Sequence, residues 1–424
     1  MGGPDSAPPP LSLAPFLPYG RQDIDQNDID AVTAVLRGDW LTQGPAVEAF
    51  ERALCERTGA AHAVSCANGT AALHLATLAL GLGPGDAVVV PAITFLATAN
   101  AARYVGAEVA FADVDPATGL MGPEQAEAAI GRAARAGWRV RALAPVHFAG
   151  QTADMAGLAA LAARHGLAVI EDACHAIGSV DVAPDGRALP VGSNGFGTLT
   201  AFSFHPVKTI AAGEGGAVTT NDPGLAARLR RFRNHGMERD PAGFEDREAA
   251  FTAAEITKDG TANPWYYEMA EPGFNYRLTD IHSALALSQL ARLDAFVERR
   301  RHLMDLYAER LAPLAPLVLP AARAPWCRPA WHLCAVRIDF AAAGRTRAQV
   351  MADLRGRGIG TQVHYIPVHR QPYWRNRCDN LVLPGADAHY ARTLSLPLFP
   401  AMTDADVDRV ATALAEALGL PSPV

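Results

Sequence analysis

Long apolar runs, paired cysteines and lysine are what this 424-residue sequence has least of. No apolar stretch approaches the length needed to span a bilayer, so an integral membrane protein is not expected. The six cysteines (Cys55, Cys66, Cys174, Cys327, Cys334, Cys378) form no CxxC pair and no regular ladder. That excludes a zinc ribbon or a disulfide framework and suits reduced thiols in a cytoplasmic protein. With 37 basic against 44 acidic residues the formal charge is −7, which leaves no footprint for nucleic acid. The opening "MGGPDSAPPPLSLAPFLP" has no basic segment followed by an apolar core. It reads as a Pro-rich tail over residues 1–17 rather than a secretory signal. Lysine is the sharpest shortage: of the 37 Lys and Arg residues only Lys208 and Lys258 are lysine.

What is present is the composition of a soluble globular protein, 50% apolar and 19% charged, in a chain long enough for two domains. From about residue 58 the pattern alternates between strands such as "AVVV", "EVAFADV", "VRALAPVHF" and "LAVIEDA" and helices of roughly a dozen residues. Apolar strands separated in this way predict right-handed crossovers and a mostly parallel sheet covered on both faces, an α/β fold. A large domain over 18–278 follows, with a polar, irregular insertion at 240–263. From Thr279, "TDIHSALALSQLARLDAFVERRRHLMDLYAERL" predicts one long connector helix, capped by Thr279 or Asp280. Beyond it, strands "HLCAVRID" and "TQVHY" and helices "TRAQVMADLRGRG" and "DADVDRVATALAEALG" predict a small α+β domain, so that 279–424 forms the second unit.

Ligands of parallel sheets collect at the carboxyl ends of the strands, and three features fall there. "CANGTAAL" opens a helix with small residues and a hydroxyl, which suits either a phosphate or an ordinary helix cap. "AVIEDACHA" delivers Glu171 and Asp172, either as solvated acids or as an acid held against a heterocyclic nitrogen. Between the strands "TLTAF" and "GAVTT" lies Lys208, either paired with Glu214 or desolvated enough to act as a nucleophilic amine. Phe95, after the strand "AVVV", is either plain core or a lid on a planar ring. Taken together the three features fit pyridoxal 5′-phosphate (PLP), which needs a phosphate cradle, an acid at the pyridine nitrogen and a Schiff-base lysine.

The motifs "NGTAAL", "PAITFLATANA", "VHFAGQTADM", "EDACHAIGS", "FSFHPVKTIAAGEGGAVTTND" and "GFNYRLTDIHSALALSQL" resemble the DegT/DnrJ-type sugar-nucleotide aminotransferases from about Phe16 onward. The resemblance implies a fold-type I PLP-dependent transferase acting as a homodimer with shared active sites. It implies Lys208 as the Schiff-base lysine and proton shuttle, and Asp172 at the ring nitrogen. Gly69, Thr70 and Ser203 would bind the phosphate, joined by Asn275 from the second subunit. Phe95 would stack on the ring, Gln151 would bond its phenolic oxygen, and His175 would support that face. Lysine at 208 separates the chain from the related sugar dehydratases, and Cys174 stands where a small residue is usual.

The segments "LPYGRQDIDQNDIDAVTAVLRGDWLTQGPAVEAFE", "NPWYYEMAEPGFNYRLTDI" and "GIGTQVHYIPVHRQPYW" are similar to the branch of the family that serves pseudaminic acid biosynthesis. That implies amino transfer from L-glutamate to C4 of a UDP-linked 4-keto-6-deoxy-N-acetylhexosamine. Tyr19, the "DWLT" segment (Asp39, Trp40, Leu41, Thr42) and the "QVHY" segment (Gln362, Val363, His364, Tyr365) would line the sugar-nucleotide pocket. Two other readings stay open here. One is the same chemistry on a GDP- or dTDP-linked sugar; the other is a PLP-binding regulatory protein without turnover, against which Lys208 argues.

Overall fold

The computed structural model describes residues 15–251, 261–378 and 380–424. Most of the Pro-rich tail, the middle of the insertion and Lys258 therefore lie outside the described residues.

Seven strands build the central sheet: β1 (His62–Cys66), β2 (Asp86–Pro91), β3 (Glu108–Ala112), β4 (Arg139–Leu143), β5 (Ala168–Asp172), β6 (Leu199–Ser203) and β7 (Gly216–Thr220). Their order is β1-β7-β6-β5-β4-β2-β3. All pairings from β6 to β3 are parallel, whereas β7 runs antiparallel to both β6 and β1. The apolar run of β2 is buried along its whole length, as a strand covered on both faces requires. β7 turns back because the segment after β6 contains no crossover helix and so cannot return the chain parallel. That segment carries Lys208 over the carboxyl end of the sheet.

The small domain is a three-stranded antiparallel sheet (Val318–Leu319, Cys334–Ile338, Thr393–Leu396). Tyr307, Val336, Ile338, Val407 and Leu414 meet in its core. Leu17, the last residue of the tail as read from sequence, is buried in this core and bridges to Ile359.

Two expectations about secondary structure need correction. The connector is not one helix but two, Asp280–Ala291 and Leu293–Leu311, broken at Arg292. The Arg292 guanidinium is drawn aside to Asp28 at 2.5 Å and Asp23 at 3.3 Å, carboxylates far away in sequence. Of the two candidate caps, Thr279 accepts the His282 N–H at 3.2 Å. Asp280 instead accepts the N–H groups of Gly44 (2.7 Å) and Ala46 (3.0 Å), at the start of the helix Pro45–Thr58. The segment "TQVHY" is not a strand. Only Gln362 pairs, with Ser395, as an isolated bridge; the chain then leaves the sheet and carries His364 and Tyr365 toward the large domain.

Candidate active site

A cavity of about 670 Å³ opens where the sheet rule places a ligand, beyond the carboxyl ends of β2, β5 and β6, with residues 362–366 of the small domain as its roof. A larger cleft of about 980 Å³ lies outside it, around Arg230–Asp240 and Arg277. Several of its charges pair with one another, as in Arg233–Glu51 at 2.5 Å and Arg231–Glu238 at 3.7 Å, and it contains none of the residues at the carboxyl strand ends. The smaller cavity gathers the strand-end residues.

One wall is the start of the helix Gly69–Ala79. Asn68 caps it, accepting the Ala71 N–H at 2.9 Å. The N–H groups of Gly69 and Thr70 have no partner within the helix and carry the positive end of its dipole. A side chain at position 69 would put its Cβ 2.8 Å from Ser203 Cβ and 3.2 Å from Cys174 Sγ. Glycine is therefore required for this cradle, and the Thr70 and Ser203 hydroxyls complete its rim. The donor set fits a phosphate group.

Alternation along β5 sends its two acids to opposite faces. Glu171 points away from the cavity and meets His147 at 2.9 Å, both buried. Burial alone would lower the His147 pKa, but the Glu171 hydrogen bond and charge outweigh it, and the pKa is raised. Asp172 faces the cavity with 5% exposure. It accepts the Thr98 hydroxyl at 2.6 Å and the Cys174 N–H at 3.2 Å. It fits the acid that a pyridine nitrogen needs.

Lys208 lines the cavity and makes no side-chain hydrogen bond or ion pair among the described residues, so it is not paired with Glu214. Burial lowers its pKa below the ordinary lysine range, with Cys174 and Asp172 opposing part of the shift. Its cationic charge in turn discourages protonation of nearby imidazoles. Burial is the larger cause, and the two together hold His364 down at about 3. They also hold His175 and His332 well below the ordinary value. Neutral His175 bonds Tyr365 Oη through Nε2 at 3.1 Å and accepts the Ala149 N–H at Nδ1 at 3.3 Å. The phenol itself stays protonated, its pKa raised chiefly by burial.

Of the residues singled out from sequence, Gly69, Thr70, Phe95, Asp172, His175, Ser203, Lys208, Tyr19, Gln362, Val363, His364 and Tyr365 all line this cavity. Phe95 is 57% exposed to it and is not core. Six are not brought there. Gln151 is buried with its amide fully engaged, donating to Ala322 O (2.8 Å) and accepting from Ala324 N–H (2.7 Å). Asp39, Trp40, Leu41 and Thr42 lie at the start of the first connector helix, where Leu41 O accepts the Asp280 N–H and Thr42 bridges to Thr279. Asn275 is exposed and bridges to Asn234.

Thr94, Thr98, His147 and His332 were not singled out from sequence. For the threonines a signal existed, two hydroxyls four residues apart in "TFLAT". His332 reaches the site from a loop with no local signature.

The model of the DegT/DnrJ/EryC1/StrS aminotransferase family matches residues 22–415. Among solved structures, the chain is similar to Helicobacter pylori PseC, an aminotransferase involved in the biosynthesis of pseudoaminic acid. The identity is 26% and the TM-score 0.82, with 95% of this chain and 99% of that one covered. It is also similar to DesV of S. venezuelae, at 33% identity and TM-score 0.78, covering 96% of this chain and 99% of that one. DesI, solved in the presence of its TDP-sugar product, matches at 32% identity and TM-score 0.79, covering 95% and 93% respectively.

Proposed function

We propose that this chain, which belongs to the DegT/DnrJ/EryC1/StrS aminotransferase family and is a PLP-dependent sugar aminotransferase, moves an amino group from L-glutamate to C4 of a UDP-linked 4-keto-6-deoxy-N-acetylhexosamine, the step required in pseudaminic acid biosynthesis. The observation that carries the chemistry is Lys208: an unpaired, partly desolvated amine facing the same cavity as the buried carboxylate of Asp172.

When bound, PLP supplies an aldehyde that carries the amino group and a ring that takes up negative charge. This chain's residues supply the rest. The Gly69 and Thr70 N–H groups, with the Thr70 and Ser203 hydroxyls, would hold the phosphate at the helix start. Asp172 would serve the ring nitrogen and favour its protonated form. Phe95, exposed to the same cavity, would cover the ring. Lys208, more often neutral than an exposed lysine, would be the nucleophile toward the aldehyde and afterwards the base that moves a proton at Nζ between the cofactor and the sugar carbon. The small-domain roof, with Tyr19, Gln362, Val363, His364 and Tyr365, excludes water and orients the sugar.

The likeness to PseC over nearly the full length of both chains supports the pseudaminic substrate. The likeness to DesI, solved with a TDP-sugar product, supports a dTDP-linked keto sugar as the second reading. Asn275, which the resemblance assigns to the neighbouring subunit's site, lies outside the cavity of its own chain, as a homodimer with shared sites requires. The lack of any CxxC pair or regular ladder among the cysteines suits a cytoplasmic setting. Incubating the purified enzyme with glutamate and UDP-, GDP- and dTDP-linked 4-keto sugars tests the substrate. Turnover confined to the UDP-linked N-acetyl sugar is expected; turnover only on a dTDP sugar overturns the pseudaminic assignment.

A further inference from the structure

Asp172 is buried, yet among the described residues no arginine or lysine forms an ion pair with it. A buried carboxylate without a cationic partner depends on hydrogen-bond donors to balance its charge. It has two donors. The Cys174 N–H is long, at 3.2 Å, and the Thr98 hydroxyl is short, at 2.6 Å. Thr98 is 3% exposed and stands in the first turn of the helix Leu96–Tyr104, where its position is fixed by the backbone. Behind it Thr94, 1% exposed, lies 2.7 Å from Thr98 Oγ1. An ionised carboxylate can only accept, so Thr98 must donate to it, and the single proton of Thr98 is then used. Thr94 must therefore donate to Thr98. The two hydroxyls form a one-way chain ending on Asp172, and each bond polarises the next. The same turn carries Phe95 to the cavity, so one helix start sets both a ring-facing aromatic and the support of the acid.

We propose that Thr98, backed by Thr94, is a positioning residue that keeps Asp172 ionised and aimed at the ring nitrogen of bound PLP. The proposal rests on the reading of Asp172 given above. With Thr98 present, the shared proton resides on the ring nitrogen, which the reaction needs. Without it, the proton returns toward Asp172. A hydrogen bond to a charged group of this kind is worth roughly a tenfold to a hundredfold change in that partition.

The test loads wild type, Thr98→Val, Thr98→Ser and Thr94→Val with PLP labelled with ¹⁵N at the ring and reads the ring-nitrogen chemical shift at one fixed pH, alongside kcat and KM. Valine keeps the shape of threonine and removes the hydroxyl; serine keeps the hydroxyl. Wild type is expected to show a protonated ring nitrogen. Thr98→Val should move the shift toward the neutral form and lower kcat by about tenfold or more with little change in KM. Thr98→Ser should stay close to wild type. Thr94→Val should move the shift the same way but less, and it alone decides the matter if Thr98→Val does not fold. A neutral ring nitrogen in wild type would overturn the reading of Asp172 itself. A protonated nitrogen in wild type that is unmoved in Thr98→Val, or in Thr94→Val if that variant stands alone, overturns the role of Thr98. So does a Thr98→Ser variant as impaired as Thr98→Val, which would mark a packing effect.

Discussion

Removing the Asp280 carboxylate should destabilise the large domain well beyond the loss of an ordinary helix cap. Asp280 is 1% exposed and accepts two N–H groups, from Gly44 at 2.7 Å and Ala46 at 3.0 Å, at the positive end of the helix Pro45–Thr58. The approach is close enough that a Cβ on Gly44 would sit 2.7 Å from Asp280 Oδ1. Hydrogen bonds to a charged group contribute about 1.5–3 kcal/mol each. The helix dipole adds about 0.3–1 kcal/mol. Relief of the cost of burying the charge offsets part of that sum. A net loss of about 3 kcal/mol is expected for Asp280→Ala, and about half for Asp280→Asn, which keeps one side-chain acceptor. Thr279→Ala, which removes only the N-cap of the next helix, should cost about 1 kcal/mol. Urea unfolding followed by far-ultraviolet circular dichroism measures all three through the midpoint, with an unchanged slope as the check that the unfolded state is the same. An Asp280→Ala loss below about 1 kcal/mol would refute the assignment of this carboxylate as a double cap.

Asp172→Asn should keep bound PLP and lose most turnover, because an amide cannot balance a protonated ring nitrogen. Near wild-type rates would remove Asp172 from the chemistry, and Glu171 could not take its place while it faces away to His147. Lys208→Arg and Asn275→Ala should each be impaired, and refolding them together should restore activity up to about half per heterodimer if sites are shared across subunits. Heterodimers that form without recovering activity would confine each site to one chain. Stability should fall as the pH drops below the ordinary histidine value. Burial above all holds His364 at about 3 and His389 at about 4. The unfolded chain therefore takes up protons that the folded one refuses, until the pH nears those values. At pH 5 each histidine should cost about 2 kcal/mol. His389→Gln should flatten the pH dependence of the urea midpoint, and an unchanged dependence would contradict it.

The sheet was legible because its strands are apolar on both faces, and the site because three strand-end features converge on one cofactor. Lysine scarcity pointed to Lys208 before any geometry was known. What escaped has tertiary causes. The connector breaks at Arg292, whose side chain pairs with Asp23 and Asp28, and no local pattern announces partners so distant in sequence. "TQVHY" has strand composition, yet only one residue finds a sheet partner. Gln151 carries a suitable amide, but the backbone at Ala322 and Ala324 has claimed both ends of it. Thr98 looks like an ordinary hydroxyl near a helix start, and only the fold shows that it bonds Asp172.

The central claim is that Lys208 is the residue that holds the cofactor. The chain has only two lysines, Lys208 and Lys258, so the test gives a nearly binary answer. The PLP-loaded enzyme is reduced with borohydride, which makes the lysine–cofactor link permanent, and is then digested and mapped by mass spectrometry. The expected result is one pyridoxyl phosphate group per chain, on the peptide containing Lys208. A group found on Lys258, or no covalent group at all, would contradict the claim.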